Sequence, residues 1–333
     1  MSRADVVIVE GLDEDVGLLG LTGQSTIGLG AWYELECLLQ NPSVTAVELV
    51  GRRLAIEWRG KGRARSFHGV VQQATESLDP LGPGERLFTL RLVPRSHRME
   101  LVTLQQVHLN RSIPSIVADK LKLCGVDFAA RLVNAYPEEE FVVQYRETDA
   151  AFVSRLTEKW GISLFHEPSS EGERLIVTDD NSGFSPIGPI PYLTQDGPGV
   201  TAFAVSARMV PSVYLSSDYN YRTPQIHVVG QTENPHGSGG ILMDFAEHHK
   251  TVAAAKWGAQ RWAEEHEAMR VIYEGHSHRA ELFAGGVMTL TDHPFLAEEQ
   301  SLLTTVRHEL SRGSGEWQYH NPFTAIPFGT PYR

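Results

Sequence analysis

The 333 residues are 41% hydrophobic and 21% charged, enough for two or three globular domains with a sizeable core. Against 29 basic residues stand 41 acidic ones, and the net charge of −12 argues against a general nucleic-acid or anionic-membrane binder. Two cysteines, Cys37 and Cys124, supply no disulfide framework and read as reduced, buried thiols of a cytosolic protein. The chain has no apolar run of about 18 residues to span a membrane. Its first residues, MSRADVVIVEGLDED, lack the apolar core of a signal peptide.

Glycine (30) and proline (18) punctuate short Val/Ile/Leu/Phe runs, which favours many short strands over a helical bundle. Within residues 1–98, strands are predicted at 6–10, 32–39, 54–59, 67–74 and 87–93. Asp79-Pro80 and Gly82-Pro83-Gly84 mark turns. The basic run Arg59, Lys61, Arg63, Arg65 alternates with Gly60, Gly62 and Ala64 and reads as a solvated hairpin tip rather than a binding patch.

Residues 99–210 read as α/β. Ser112 is placed to cap a helix with Pro114 in its first turn. Ile113, Ile116, Val117, Leu121 and Cys124 form its apolar stripe, and Gly125 stops it. A strand over 141–145 leads to a second helix. Thr148 caps it, and Asp149 favours the positive end of its dipole. Phe152, Val153, Leu156 and Trp160 share one face, and Gly161 ends the helix in a left-handed conformation. Arg146, Glu147, Arg155 and Glu158 read as ion pairs on and beside this helix. A strand with Ile162, Leu164 and Phe165 follows, then a polar loop at 167–174 and a strand at 175–178 ending in Asp179-Asp180.

Beyond residue 210, the run Asp218-Tyr219-Asn220-Tyr221-Arg222-Thr223-Pro224 precedes a Gly/Pro-rich loop at 230–245. A helix is predicted over 250–268, with Val252, Ala255, Ala259, Trp262 and Ala263 on one side. The alternation over 275–310 reads as a hairpin around Gly285-Gly286 with further strands. His293 fixes a turn before Pro294. The tail, 321–333, has three prolines and no period, so it should run extended without a core of its own. Phe323, Ile326, Phe328 and Tyr332 nevertheless make it too apolar for a free end.

Fourteen histidines invite a metal hypothesis, with His248-His249, His236 and the pair His276 and His278 foremost. No HExxH run exists, and solvated loop and strand histidines are the simpler reading. The chain also lacks a Gly-x-Ser-x-Gly elbow, a Cys-His signature and a phosphate-binding Gly-x-x-x-x-Gly-Lys-Ser/Thr. Among 41 acids some pair always meets the spacing for glycoside hydrolysis, so that criterion selects nothing. The expectation is no catalysis, no cofactor and no bound metal.

The pattern Arg146-Glu147-x-Asp149-x-x-Phe152-x-x-Arg155-Leu156-x-Glu158-x-x-Gly161-Ile162-x-x-Phe165 resembles the hub segment of VgrG-type spike proteins of type VI secretion systems and of related phage tail hubs (the late control D family). Four further pieces occur in the family's order: Phe67-His68-Gly69-Val70-Val71, the run from Asn110 to Val117, Asp218-Tyr219-x-Tyr221-x-x-Pro224, and Leu282, Gly286, Leu290 with His293-Pro294. Together they cover the chain from about residue 28 to 333.

The resemblance implies a β-rich α+β fold. Residues 1–98 and 211–320 would be two barrel-like tube domains, the latter with a helix, and 99–210 an α/β region between them. Residues 321–333 would be a connector toward a spike, carried by Phe323, Ile326, Phe328 and Tyr332. It implies a homotrimeric structural hub of a contractile injection apparatus, adapting a hexameric tube of the Hcp or phage tail-tube type to a three-fold spike. The implied partners are that tube, a spike or OB-fold region (in the same chain or a separate one), baseplate proteins and, as a further candidate, effector cargo. Assembly would be cytoplasmic, with delivery outside the cell by the machine. A tail-associated hydrolase or a soluble carbohydrate-binding β-protein is the alternative.

Overall fold

A computed structural model describes residues 8–11, 16–41, 43–59, 64–79, 84–169, 172–195, 197–245, 248–313 and 316–333. The first β-rich stretch holds β1 (Ile8–Glu10), β2 (Gly17–Thr26), β3 (Ala31–Leu39), the short α1 (Ala46–Leu49), β4 (Arg53–Trp58), β5 (Arg65–Glu76) and β6 (Arg86–Val93). The middle stretch follows with β7 (Thr103–Ser112), α2 (Ile113–Leu123), β8 (Phe128–Arg131), β9 (Glu138–Thr148), α3 (Asp149–Lys159), β10 (Ser163–Ser169), β11 (Gly172–Thr178), β12 (Ser185–Pro191) and β13 (Val200–Ala207). The last comprises β14 (Val213–Asp218), β15 (Val228–Glu233), β16 (Ile241–Phe245), α4 (Val252–Arg270), β17 (Val271–Ser277), β18 (Gly286–Thr291), β19 (Glu299–Gly313) and β20 (Glu316–Pro327). The fold is a β-rich α+β fold.

Twelve strands form one sheet in the order β1-β4-β5-β6-β3-β2-β19-β20-β17-β13, with β18 beside β19 and β12 parallel to β18. Both ends of the chain therefore share one hydrogen-bonded ladder, joined where Leu21 of β2 faces Leu310 of β19. Alternation explains its two cores. In β3 the inward residues Tyr33, Leu35, Cys37 and Leu39 are buried while their neighbours are not, and they pack with Phe67, Phe88 and Leu90. Leu310 and Tyr319 from the C-terminal strands complete that cluster. A second cluster, with Leu290, Leu303, Val306 and Phe323, fills the other half.

The middle stretch builds its own core. Ile113, Ile116, Val117 and Leu121 of α2 meet Phe152, Val153 and Leu156 of α3, over the three-stranded sheet β10-β11-β8. β7 and β9 pair as a two-stranded ribbon beside these helices, and β15-β14-β16 form a small sheet against α4.

Several expectations are corrected. The supposed polar loop over 167–174 is the tip of a hairpin, with Glu167 facing Arg174 across the β10–β11 ladder. The turn between β18 and β19 falls at 292–298, not at Gly285-Gly286, because β18 pairs with β12 and β19 rather than with β17. Ser112 occupies the cap position of α2, but its side chain makes no capping bond. Val252 at the start of α4 is exposed rather than on the buried side. Arg65 is not at a solvated tip: it is 6% exposed, and its Nη1 donates to the carbonyls of Ala280 (3.1 Å) and Leu282. Lys61 and Arg63 of that basic run, and Pro80, Gly82 and Pro83 of the expected turns, lie outside the described residues. The tail has a core after all. Asn321–Pro327 is the second half of β20, laddered to β17 and β19, with Phe323 and Ile326 each 3% exposed.

Candidate assembly site

The motif between β9 and α3 is held by a buried charge pair. Thr148 Oγ1 accepts from the Ala151 backbone N–H at 3.1 Å and starts the helix. Next to it, Asp149 faces inward. Its Oδ1 accepts from Lys120 Nζ of α2 at 2.7 Å and from Gln144 Nε2 of β9 at 2.9 Å, while Lys120 also donates to Gln106 of β7 at 3.1 Å. The lysine and aspartate side chains are 1% and 2% exposed, so their desolvation is offset only by this network. Helix α3, helix α2 and both ribbon strands are thereby fixed to one another.

The other motif residues surround that centre. Phe152 and Leu156 are buried, and His108 of β7 stacks on Phe152 at 5.6 Å between ring centroids. Glu147 and Arg155 form a doubly hydrogen-bonded pair at 2.6 and 3.2 Å, and Arg155 also donates to the Val143 carbonyl. Hydrogen bonding to Arg155 holds the Glu147 carboxyl below its ordinary range. Gly161 ends the helix at φ 64°, and a Cβ there would meet the side chains of Arg261 and Arg333 at 2.9 Å. Trp160 is only half-buried and tilts against Tyr136 and Trp257. Two of the four expected ion-pair residues have no oppositely charged partner among the described residues. Glu158 is exposed at a cleft of about 480 Å³ between α3 and α4. Arg146 sits at a bulge in the β7–β9 ladder with φ 51°, lies over the Tyr145 ring and has no acidic partner among the described residues.

The second signature bridges two units. Asp218 accepts the Tyr219 N–H at 2.7 Å and the His249 N–H at 2.6 Å, closing the loop before α4. Arg222 and Lys250 both reach Glu140 at the start of β9, at 3.0 and 3.1 Å. Tyr219, Tyr221 and Pro224 are exposed. His293 accepts the Phe295 N–H at 3.2 Å and packs on Tyr192, which fixes the turn around Pro294.

At the C-terminal end, Phe328 and Tyr332 are half-buried in the cluster of Phe165 and Phe184. Asn181 clasps this end: its Nδ2 donates to the carbonyls of Phe328 and Thr330, both at 2.7 Å, and its Oδ1 accepts the Tyr332 N–H. Arg333 reaches Glu264 of α4 at 2.7 Å.

Two buried polar clusters escaped the sequence reading. His308 of β19 lies 2.5 Å from the Tyr319 hydroxyl, and burial pushes its pKa well below the ordinary histidine value. Between the main sheet and β10–β11, Ser96 Oγ and His166 Nε2 are 2.9 Å apart, and Tyr33 reaches Glu173 at 3.5 Å. Burial lowers His166 to about 4 and raises Glu173, whose Oε2 is shielded and unpartnered, to about 7. The one signal in the sequence was a histidine or arginine on the inward phase of an alternating strand, as with His308 and Arg65. Among the described residues, no three His, Cys, Asp or Glu side chains converge as a metal site. His276 is exposed, and His278 packs its ring on His320.

The sequence profile of the phage tail baseplate hub (GPD) family matches residues 28–314. The type VI secretion system spike protein VgrG5 of Pseudomonas aeruginosa is 27% identical over 363 aligned residues, covering 98% of this chain and 44% of that protein. The chain thus spans less than half the length of that curated relative. Among solved structures, the c3393 protein of E. coli, a type VI secretion component described as similar to the T4 tail proteins gp27 and gp5, superposes with a TM-score of 0.71 at 21% identity. The match covers 98% of this chain and 78% of that one. The 43 kDa tail protein of prophage MuSo2 from Shewanella oneidensis superposes at 0.73 and 11% identity, covering 98% and 99%. With a profile match over most of its length, the chain belongs to the phage tail baseplate hub family.

Proposed function

We propose that this chain is the structural hub of a contractile injection apparatus, a homotrimer that adapts a hexameric tube to a three-fold spike and carries out no catalysis. The observation that carries the reading is the single sheet joining both ends of a baseplate-hub family chain. Two similar β-rich halves per chain would present six related segments in a trimer, a match for six tube subunits on one side and three spike strands on the other. The motif residues Arg146, Glu147, Asp149, Phe152, Arg155, Leu156, Glu158 and Gly161 act as scaffold and surface rather than as reacting groups. Asp218, Tyr219, Tyr221, Pro224, His293 and Pro294 shape the loops at unit boundaries. Phe323 and Ile326 anchor the last strand, and Phe328 and Tyr332, clasped by Asn181, set the direction in which a spike segment leaves the hub.

The tube protein, the spike, baseplate proteins and cargo are the proposed partners. Native mass measurement tests the reading: three chains per particle support it. A monomer favours a tail-associated hydrolase or a carbohydrate-binding β-protein instead.

A further inference from the structure

Two sheet faces of this chain are apolar, in register and uncovered. The first is the outward face of the β7–β9 ribbon. Its inward residues Gln106, His108, Val142 and Gln144 pack on α2 and α3. Outward stand the directly opposed pairs Leu109–Phe141, Val107–Val143 and Gln105–Tyr145. Val107, Leu109, Phe141 and Tyr145 are 51–62% exposed. The second is the face of β15-β14-β16 turned away from α4. Helix α4 covers Tyr214 and Leu242 through Ala259, Ala263 and Trp262. The opposite face reads in three rows: Glu233–Val213–Ile241, Gln231–Leu215–Met243 and Val229–Ser217–Phe245. Ile241, Met243 and Phe245 are 60–70% exposed. Single exposed apolar residues are ordinary, whereas two such in-register stripes mark contact surfaces.

Each face carries one charge of opposite sign at its edge: among the described residues Arg146, beside Tyr145, has no acidic partner, and Glu233, at the corner of the second face, has no basic one. A contact of either face with itself would bring together two like charges, both Arg146 or both Glu233, with no opposite charge from the paired faces to offset them. A head-to-tail contact sets the cation against the acid and apolar rows against apolar rows of the same repeat. Such a heterologous contact closes into a ring when its angle permits. The exposed Arg222–Glu140–Lys250 bridge links the strand carrying the first face to two loops of the second, Arg222 between β14 and β15 and Lys250 before α4. Strands about 4.8 Å apart and about 17 Å long present roughly 250 Å² on the three-stranded face and roughly 160 Å² on the two-stranded ribbon. That is about a fifth to a third of the roughly 800 Å² per partner of a stable interface, the size of its apolar centre rather than of the whole.

We propose that the outward face of the β7–β9 ribbon docks on the α4-free face of β14–β16 in the next copy of this chain, with Arg146 facing Glu233. This rests on the trimeric-hub reading and names the surfaces that close the ring.

The test uses full-length Phe141→Glu and Met243→Glu, each at an exposed position, with folding checked by circular dichroism. Each alone is expected to weaken self-association about tenfold or more, shifting native mass from trimer to monomer. Mixed together, each variant still offers one intact face, so a particle of one copy of each is expected, without closure to three. As a variant pair independent of apolar packing, Arg146→Glu should weaken the trimer and Arg146→Glu with Glu233→Arg should restore it. A wild-type trimer with unaltered association in Phe141→Glu and Met243→Glu overturns this proposal and leaves the trimeric reading standing. A monomeric wild type at the same concentration overturns both.

Discussion

Asp149 and Lys120 show how little of a residue's role its own position reveals. Asp149 was legible as a first-turn carboxylate, but its partner was not, because Lys120 lies 29 residues away on another helix. The signal was present all the same: Lys120 falls among Ile116, Val117 and Leu121 on the buried stripe of α2, where a lysine needs a counter-charge. Asp149→Ala should cost about 3–5 kcal/mol in denaturant unfolding, because it leaves a buried ammonium unpaired. The double change Lys120→Met with Asp149→Leu should recover most of that loss. If Asp149→Ala unfolds at the wild-type midpoint, the network is not what holds the motif. Trp160 is the opposite case. It is half-buried, so Trp160→Ala should cost less than the roughly 3–5 kcal/mol of a fully buried tryptophan.

The same scale yields a pH prediction. His166 is lowered from 6.5 to about 4, so its contribution to stability is present above 6.5 and is lost as pH falls through about 4. Glu173 is raised from 4.5 to about 7, so its contribution is present below 4.5 and is lost as pH rises through about 7. Glu173 joins β11 to β3 through Tyr33, and His166 joins β10 to Ser96 after β6. Glu173→Gln, which stays neutral, should remove the loss of stability between pH 4.5 and about 7 and leave the acidic loss between 6.5 and about 4. A variant with the wild-type pH profile between 4.5 and 7 would contradict the assignment.

At the level of elements, alternation and helical period carried far. The strands near 32–39, 54–59, 67–74 and 87–93 and the three long helices stand where the pattern placed them, within a few residues at the ends. What was hidden has local causes. β2 contains Gly17, Gly20 and Gly23, which dilute its strand signal. Gly23 is needed because a Cβ there would come within 2.3 Å of the Tyr33 ring. β7 is exposed along most of its length, so no inward phase marks it. Prolines 322 and 327 disguised the end of β20, whose place between β19 and β17 only long-range pairing decides. Deleting residues 322–333 should therefore unfold the C-terminal half of the sheet, seen as loss of soluble, cooperatively melting protein. Deleting only 328–333 should retain the fold while freeing Asn181. A 322–333 deletion that melts like wild type would show that β20 is dispensable beyond Asn321.

For the whole molecule, family membership was legible because several short motifs recur in order, and each meets a physical requirement. A cap and a buried acid stand at 148–149, a left-handed glycine at 161 and a loop-closing carboxylate at 218. The topology was not legible, since β2 pairs with β19 across almost the entire chain and no local pattern encodes that partner. The candidate assembly surfaces were half visible: the motif residues could be named, while the outward ribbon and sheet faces became apparent only once strand register was known. The central claim is that this fold is a ring-forming hub. Electron-microscopic imaging of the purified protein tests it most directly. Particles of three chains with three-fold symmetry around a central opening are the expected result. A uniform population of single chains at micromolar concentration would contradict it.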